Sequence, residues 1–151
     1  TDKMMAPRYQ EIASKEVPEI TIDGGVVRVL AGEYNSITGP ISGVTISPLY
    51  LDIRLEPHTT FTLENDLDTN GFYLYRGSVT SHDTTVLNNH AALFTRGESL
   101  TITAGTEGAK LMLFGGNQIS ETIAWRGPIV MNSDSELQQA FDELQRDTFL
   151  K

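Results

Sequence analysis

The chain has 151 residues, 39% of them hydrophobic, no cysteine, and a formal net charge of −9 from 20 acidic and 11 basic residues. This length fits one domain with a substantial core, and the composition gives no sign of a disordered, fibrous or membrane-spanning chain. The negative field repels phosphate backbones, so we expect no direct binding to nucleic acid. The absence of cysteine excludes disulfides and thiolate sites and fits a cytoplasmic location.

The N-terminal segment, residues 1–18, is predicted to be irregular and to form an interdomain linker region. Pro7 and Pro18 bracket most of it, and it contains no apolar signal-peptide core. Thr1 is not an initiator methionine, so we expect a trimmed chain or a part of a longer protein. A reading frame that begins at Met4 or Met5 would instead make the chain a stand-alone domain.

The next stretch predicts a hairpin and then a long connection. Residues 19–22 and 26–31 are β-branched strands around the glycine turn Asp23-Gly24-Gly25. Residues 32–47 are rich in glycine and proline, and we predict a turn-rich connection there.

The stretch 49–79 has the clearest strand pattern in the chain. Apolar residues alternate with Tyr50, Asp52 and Arg54 in its first part, and Phe72 and Leu74 alternate with tyrosines in its last part. The sequence therefore predicts two half-buried strands that flank one polar, acidic loop.

Further short strands are predicted at 84–87, 91–95, 100–104 and 110–114. The turns between them recur about every 8 to 12 residues, with one at 105–108, which is the spacing of an all-β sandwich or barrel. We predict that residues 19–132 form this β domain.

One α-helix is predicted, over residues 133–147. Ser133 and Glu136 form a capping box, with Asp134 in the first turn where the helix dipole favours negative charge. The spacing predicts one apolar face, made of Leu137, Ala140, Phe141 and Leu144. We expect the helix to pack on the outside of the sheets or, alternatively, to dock on a partner.

The acidic loop has the strongest local pattern for a metal site. Asp66-x-Asp68-x-Asn70-Gly71 matches the first half of a calcium loop, but Gly77 stands where the bidentate glutamate belongs. The pattern excludes a complete helix-loop-helix site. It leaves a shorter metal loop and a solvated turn as alternatives. The candidate metal ligands are Glu64, Asp66, Asp68 and Asn70.

Other motifs predict turns rather than chemistry. His58, His82 and His90 lack the spacing that puts two imidazoles on one metal. Ser81-His82-Asp83 has the residue types of a hydrolase triad, but adjacent side chains of an extended chain point to opposite faces. The stretch 115–117 is a glycine turn without the lysine and hydroxyl residue that complete a phosphate loop.

Five segments occur in a characteristic order along the chain: PRYQEI at 7–12, VRVLAGEY at 27–34, Gly39-Pro40, YLDIRLEP at 50–57 and GPIVMNSDSELQQAF at 127–141. In this order they resemble the pirin family. The resemblance is to the C-terminal half of a pirin. It implies an all-β, cupin-type barrel, a double-stranded β-helix or jelly roll, followed by one C-terminal α-helix.

The resemblance also carries expectations about cofactor and partner. Pirins have two cupin barrels, and the N-terminal barrel holds iron or another divalent metal through three histidines and a glutamate. Family members are linked to quercetin 2,3-dioxygenase activity, to transcriptional co-regulation, and to control of metabolic enzymes by protein contact. The implied partners are the N-terminal cupin half of the parent chain and a regulated protein.

This chain departs from the cupin ligand pattern at each expected position. Asn70 stands at the glutamate position, and the last histidine falls near Lys110 or Leu111. The first two histidines fall among Leu63, Glu64, Asn65 and Asp66. We therefore expect no catalytic residue, cofactor or metal ligand set in this chain.

Three functions remain open from the sequence. The first is a metal-free cupin domain with a structural, regulatory or protein-binding role. The second is the non-catalytic part of a quercetin 2,3-dioxygenase-type iron enzyme. The third is a barrel that binds a small apolar ligand among Trp125, Tyr73, Tyr75 and Phe114, for which core packing is the alternative use.

Overall fold

The computed structural model describes residues 5–6, 8–43, 45–64 and 66–149. These residues form two compact units, which are described separately: Arg8–Gln118, the barrel unit, and residues 119–149 with residues 5–6, the C-terminal unit. A short 3-10 helix, Ser14–Glu16, precedes the first strand. No helix among the described residues has both the length and the apolar character needed to cross a membrane.

The barrel unit contains ten strands, all within the described residues. They are β1 (Glu19–Ile22), β2 (Gly25–Ala31), β3 (Glu33–Tyr34), β4 (Ile37–Thr38), β5 (Leu49–Leu55), β6 (Thr60–Glu64), β7 (Thr69–Ser81), β8 (Thr84–Leu87), β9 (His90–Phe94) and β10 (Ser99–Gly116). The main sheet has the order β1-β2-β5-β10-β7-β8, with β6 on β10 and β9 on β7. Its strand pairs are antiparallel.

The predicted hairpin and the predicted alternation are both confirmed. In β5, Leu49, Leu51, Ile53 and Leu55 are at most 6% exposed and lie in the core. Phe72 and Leu74 of β7 are fully buried, whereas Tyr73 and Tyr75 lie on the exposed face. Because strand side chains alternate, one apolar residue in two was enough to predict these inward faces.

The predicted turn at 105–108 is wrong. Residues 99–116 form one strand, whose first part pairs with β6 and whose second part pairs with β5, while β7 pairs with it on both sides of the irregularity. The register with β7 shifts between Ala104 and Ala109, so the glycines form an irregularity inside a long strand. Gly77 and Gly108 have φ angles of +80° and +74°, and a Cβ on Gly77 would overlap the carbonyl oxygen of Gly108.

The polar loop within 49–79 is also shorter than predicted. Thr60–Glu64 forms β6, which pairs with residues 99–103 and buries Phe61 and Leu63. The connection 32–47 contains the small hairpin β3–β4, in which Asn35 and Ser36 adopt positive φ angles. The acidic loop is therefore reduced to the residues just after Glu64.

The C-terminal unit contains a hairpin and a helix around its own small core. The elements are β11 (Ala124–Arg126), β12 (Ile129–Met131) and α1 (Asp134–Gln145). The core consists of Ala124, Ile129, Met131, Leu137 and Ala140, with Phe141 packed against it. The predicted helix and its Ser133–Glu136 capping box are confirmed. Leu144 is 46% exposed, so its predicted place on the buried face is wrong.

Candidate functional site

The acidic candidates predicted from the sequence lie at one end of the barrel unit and have different surroundings. Glu64 ends β6, and both it and Asp66 are exposed and line the same cavity. Asp68 accepts a hydrogen bond from the Gln118 amide at 2.9 Å and pairs with Arg96 at 3.1 Å. Asp68 and Asn70 are not among the residues that line that cavity.

Asn70 occupies the position of the cupin glutamate ligand on β7. It is 5% exposed, and its Nδ2 donates a hydrogen bond to the Leu67 carbonyl at 3.4 Å. The calcium-like pattern in the sequence therefore separates in space, because Asp68 holds the loop to Gln118 while Asn70 points into the packed interior. Asn65, another predicted position, lies outside the described residues.

The cavity that Glu64 and Asp66 line has a volume of about 780 Å³, and we refer to it as the mouth cavity. Leu49 and Leu63 form its apolar floor and are 6% and 4% exposed. Thr62 of β6, Thr38 of β4 and Glu33 of β3 also line it, so a third acidic residue belongs to the lining. Segments distant in sequence thus meet at one concave surface.

Tyr34 forms the aromatic part of the mouth cavity. Its ring lies 6.0 Å from the Phe61 ring, at an interplanar angle of 36°. Burial raises the pKa of Tyr34, and a hydrogen bond with Asn35 lowers that pKa by a smaller amount. The phenol is therefore a neutral hydrogen-bonding group at physiological pH.

The available donors do not fit the iron site of a metal-binding cupin. Among the described residues, no three His, Asp or Glu side chains lie close enough to hold a metal ion. Leu63 and Leu111, at two of the expected ligand positions, are core residues that are 4% and 0% exposed. Carboxylates and amides at the other positions are poor substitutes for the imidazoles that hold iron in a fixed geometry.

The histidines and the triad-like motif are placed in turns or at strand ends. His58 and His82 have φ angles of +62° and +49°, and His90 Nδ1 lies 3.0 Å from the Asn88 carbonyl. Ser81 Oγ donates to the Thr101 carbonyl at 2.9 Å and is buried, while His82 is exposed in the next turn. Ser81 thus has a structural hydrogen bond and no geometry for a catalytic relay.

A second cavity, of about 410 Å³, lies beside the end of β10. Phe114, Gly115 and Gly116 line it together with Tyr50 and Pro48. Of the four aromatic residues proposed to line an interior ligand pocket, Phe114 lines this cavity and Tyr73 and Tyr75 do not. Trp125 is 74% exposed in β11 of the C-terminal unit, and its Nε1 donates to the Gly127 carbonyl at 2.7 Å.

A buried charge cluster on the outer face of the sheet was missed by the sequence reading. Asp52 is 7% exposed, accepts a hydrogen bond from the Tyr75 hydroxyl at 2.7 Å, and pairs with Arg54 at 3.2 Å. Arg28 lies 3.8 Å from the same carboxylate and donates to Ser14 at 2.9 Å. Alternation predicts a polar face for Asp52 and Arg54, but Arg28 comes from β2 and Tyr75 from β7, and no local pattern identifies these two partners.

An exposed apolar surface on the C-terminal unit is the other feature without a sequence signal. Trp125 and Val130 are paired across β11 and β12 and are 74% and 39% exposed, and Ile123, beside them in the chain, is 71% exposed. The alternate residues of both strands face the small core. We call Ile123, Trp125 and Val130 the tryptophan face.

The fold and a comparison with solved structures together identify the class of domain to which the barrel unit belongs. A quercetin 2,3-dioxygenase from Acinetobacter baumannii has a TM-score of 0.83 and 28% identity to this chain, over 96% of this chain and 52% of its own. Long antiparallel strands wound around one apolar core, with this similarity, define a cupin domain.

The chain belongs to the pirin family, because residues 50–150 match the Pirin C-terminal cupin domain. A Pirin-like protein of Caulobacter vibrioides is 37% identical over 97% of this chain and 54% of its own length. A Pirin-like protein of Solanum lycopersicum is 33% identical over 95% of this chain and 51% of its own length. The chain thus spans about half the length of these relatives, and both the predicted family and the predicted cupin fold are confirmed.

Proposed function

We propose that this chain is the metal-free C-terminal cupin half of a pirin-like protein, with a structural or regulatory role exerted through protein contact. One observation carries the proposal: the chain aligns almost completely with pirin-like proteins but covers only about half of each. Its first partner is then the preceding cupin half of the parent chain. A regulated protein is the second.

The donor chemistry of the barrel supports a non-catalytic role. Among the described residues, the positions where a metal-binding cupin carries its imidazoles and carboxylate fall at Asn70, among Leu63, Glu64 and Asp66, and at Lys110 or Leu111, and none of these is a histidine. Two of these side chains contribute to the apolar core, which stabilises the barrel by removing their surface from water. The interior is thus built for packing.

The tryptophan face supports a protein-binding role. Large aromatic side chains at the centre of an interface contribute much of the binding free energy, since they bury a large area at a small loss of conformational entropy. Trp125 leaves 74% of its surface in water, and the hydrogen bond to Gly127 holds its indole in place. Binding of a preceding cupin half over this surface would gain free energy, because it would remove the indole from water.

Hydrogen bonds of the N-terminal segment support an ordered connection, rather than a flexible linker, between that half and this chain. Arg8 donates to the carbonyls of Ser42 and Gly43 at 2.5 and 2.6 Å. Gln10 exchanges two hydrogen bonds with the backbone of Ser42, at 3.0 and 3.3 Å. These contacts fasten the predicted linker region to the barrel unit, so a domain attached before it would enter at a defined place.

The proposal is tested with the parent protein expressed whole and as two halves. We expect the separately expressed N-terminal cupin half to co-purify with this chain, and Trp125→Ser to weaken the association at least about tenfold. Leu87→Ser is the matched control, since Leu87 is 57% exposed on β8 of the barrel unit. Equal binding by the Trp125→Ser variant would contradict a role for the tryptophan face.

The second candidate function is the non-catalytic part of a quercetin 2,3-dioxygenase-type iron enzyme. The structural similarity to the Acinetobacter baumannii quercetin 2,3-dioxygenase favours it. We expect the whole parent to consume quercetin and oxygen and its iron to reside in the N-terminal half. Stoichiometric iron in this chain alone, together with flavonol turnover, would overturn both candidate functions.

A further inference from the structure

We propose that the mouth cavity binds an organic ammonium compound with an apolar body, of the arylalkylamine class. The proposal concerns the barrel unit alone and does not depend on the proposed function. It rests on the combination in one cavity of ligand size of an apolar floor, an aromatic wall and a negative rim whose carboxylates form no ion pair with another described residue.

The size and floor of the mouth cavity suit a small organic molecule. Its volume of about 780 Å³ is within the range of about 300 to 1,000 Å³ that is typical of small-molecule sites. Leu49 and Leu63 line the cavity, belong to the apolar core and are 6% and 4% exposed. An apolar group seated on them would lose contact with water without displacing any core residue.

The rim of the mouth cavity selects for positive charge. Glu33, Glu64 and Asp66 line it, and the lining contains no lysine or arginine. No ion pair between described residues involves these three carboxylates, whereas Asp52 and Asp68, outside the cavity, each pair with an arginine. An ammonium group entering the cavity would thus meet negative charge that no cation among the described residues neutralises.

The aromatic wall adds a preference for an organic cation. Tyr34 lines the cavity and is backed by Phe61, so its ring is held by packing. The face of an aromatic ring attracts ammonium groups through its quadrupole, and this attraction strengthens when the site is partly shielded from water. Burial raises the pKa of Tyr34 further above physiological pH, so the phenol is protonated there and adds one hydrogen-bonding group.

A hard metal ion is a poorer match to the same lining. Calcium takes about six to eight oxygen ligands, and the two further oxygens of the sequence pattern, on Asp68 and Asn70, are not in the cavity. The leucine floor supplies no ligand on that side. An amine needs only one or two carboxylates and gains from the leucines, so the lining favours the organic cation.

The test is a titration of the chain with 2-phenylethylamine, followed by amide NMR shifts, which also report whether each variant is folded. We expect shifts in residues 32–38 and 62–67 at amine concentrations up to about 10 mM, and about tenfold weaker binding in the Glu64→Gln, Asp66→Asn double variant. Glu107→Gln is the matched control, because Glu107 is exposed on β10 and does not line the cavity. The affinity of this control variant for 2-phenylethylamine should equal that of the unsubstituted chain.

The aromatic contribution is tested separately at Tyr34. Tyr34→Phe keeps the ring and should keep the affinity within about twofold, whereas Tyr34→Leu should lower it by about threefold to fivefold. Three results would overturn the proposal: 2-phenylethanol binding as tightly as the amine, calcium shifting the same amides at lower concentration, or no shift with the amine at all.

Discussion

At the scale of single residues, Asp52 is the acidic side chain most dependent on its neighbours. It is the only buried carboxylate among the described residues, and Tyr75, Arg54 and Arg28 surround it. A buried charge is stable only when it is paired and hydrogen bonded, since the alternative is a large desolvation cost. The cluster joins β5 to β2 and β7, strands that are distant in the sequence.

We expect Asp52→Asn to lower the free energy of unfolding by about 1 to 3 kcal/mol, because the new amide would remove the counter-charge of Arg54 and would leave Arg28 with Glu19, at 3.9 Å, as its carboxylate partner. Urea unfolding of the parent and the variant measures the difference. Asp83→Asn makes the same chemical change in an exposed turn and should leave the midpoint unchanged. Equal stability of the two variants would show that the cluster contributes nothing.

Tyr75 gives the cluster a pH dependence. Burial raises the pKa of the Tyr75 hydroxyl, and its hydrogen bond to Asp52 raises that pKa further. Because the folded pKa is above the unfolded one, the folded state holds its proton more tightly. The resulting stability is present below the unfolded pKa of about 10 and is lost as the pH rises through the folded pKa.

We therefore expect the stability of the parent to fall above about pH 10 and the fall to be smaller in Tyr75→Phe, which has no proton to lose. Unfolding midpoints between about pH 8 and about pH 11 measure this. Tyr9→Phe, at a residue that is 88% exposed, is the matched control. If the unfolding midpoints of Tyr75→Phe and of the unsubstituted chain fell in parallel as the pH rises, Tyr75 would not be the source of the pH dependence.

At the scale of elements, the long strands β7 and β10 depend on a pair of glycines. The register shift between them brings the backbone of Gly77 against the carbonyl of Gly108, and both residues have positive φ angles. A side chain at Gly77 would have to move the neighbouring backbone and would strain its own conformation. This irregularity is what lets one strand serve two sets of partners.

Gly77→Ala should lower the free energy of unfolding by at least about 2 kcal/mol, since steric overlap adds to the positive φ angle. Gly116→Ala is the matched control, because a Cβ there would have no atom within 4 Å. Its effect should stay within about 1 kcal/mol. Thermal unfolding followed by circular dichroism compares the two, and a harmless Gly77→Ala would contradict the described packing.

The helix α1 depends on its N-terminal cap. Ser133 Oγ accepts a hydrogen bond from the Glu136 amide, and the Glu136 carboxylate accepts one from the Ser133 amide at 3.0 Å. Without this exchange, two backbone donors of the first turn would be left to water. Leu137 and Ala140 would then be held less firmly in the small core of the C-terminal unit.

Ser133→Ala should destabilise the C-terminal unit by about 1 kcal/mol, whereas Ser133→Thr keeps the hydroxyl and should cost much less. Trp125, the single tryptophan of the chain, lies in the same unit, so its fluorescence reports this unfolding. Identical fluorescence midpoints for the alanine and threonine variants would show that the cap does not contribute.

At the scale of the whole molecule, the net charge of −9 means that the acidic side chains repel one another in the folded state. Salt screens this repulsion. We expect the melting temperature to rise by a few degrees between about 20 mM and about 500 mM sodium chloride. Glu107→Lys removes one negative charge and adds a positive one at an exposed position, so it should reduce this rise. A melting temperature that is insensitive to salt would contradict a global electrostatic cost.

Much of the candidate site could not be read from the sequence, for a reason visible at Glu64 and Asp68. Both belong to one acidic stretch, yet one lines the mouth cavity and the other is held by Arg96 and Gln118. Their partners lie 28 or more positions away, so spacing along the chain carries no information about which carboxylate is paired. The pattern grouped four candidate ligands, and the structure brings only Glu64 and Asp66 of them to one cavity.

The sequence by itself determined the inward faces of β5 and β7, the capped helix and the family, because alternation, capping and ordered motifs are local properties of the chain. Tertiary structure alone decided that 105–108 continues a strand, that Asp52 is buried among arginines, and that Tyr34, Glu33 and Glu64 meet in one cavity. These features depend on strand pairing, which brings residues that are far apart in sequence into contact and removes them from water together.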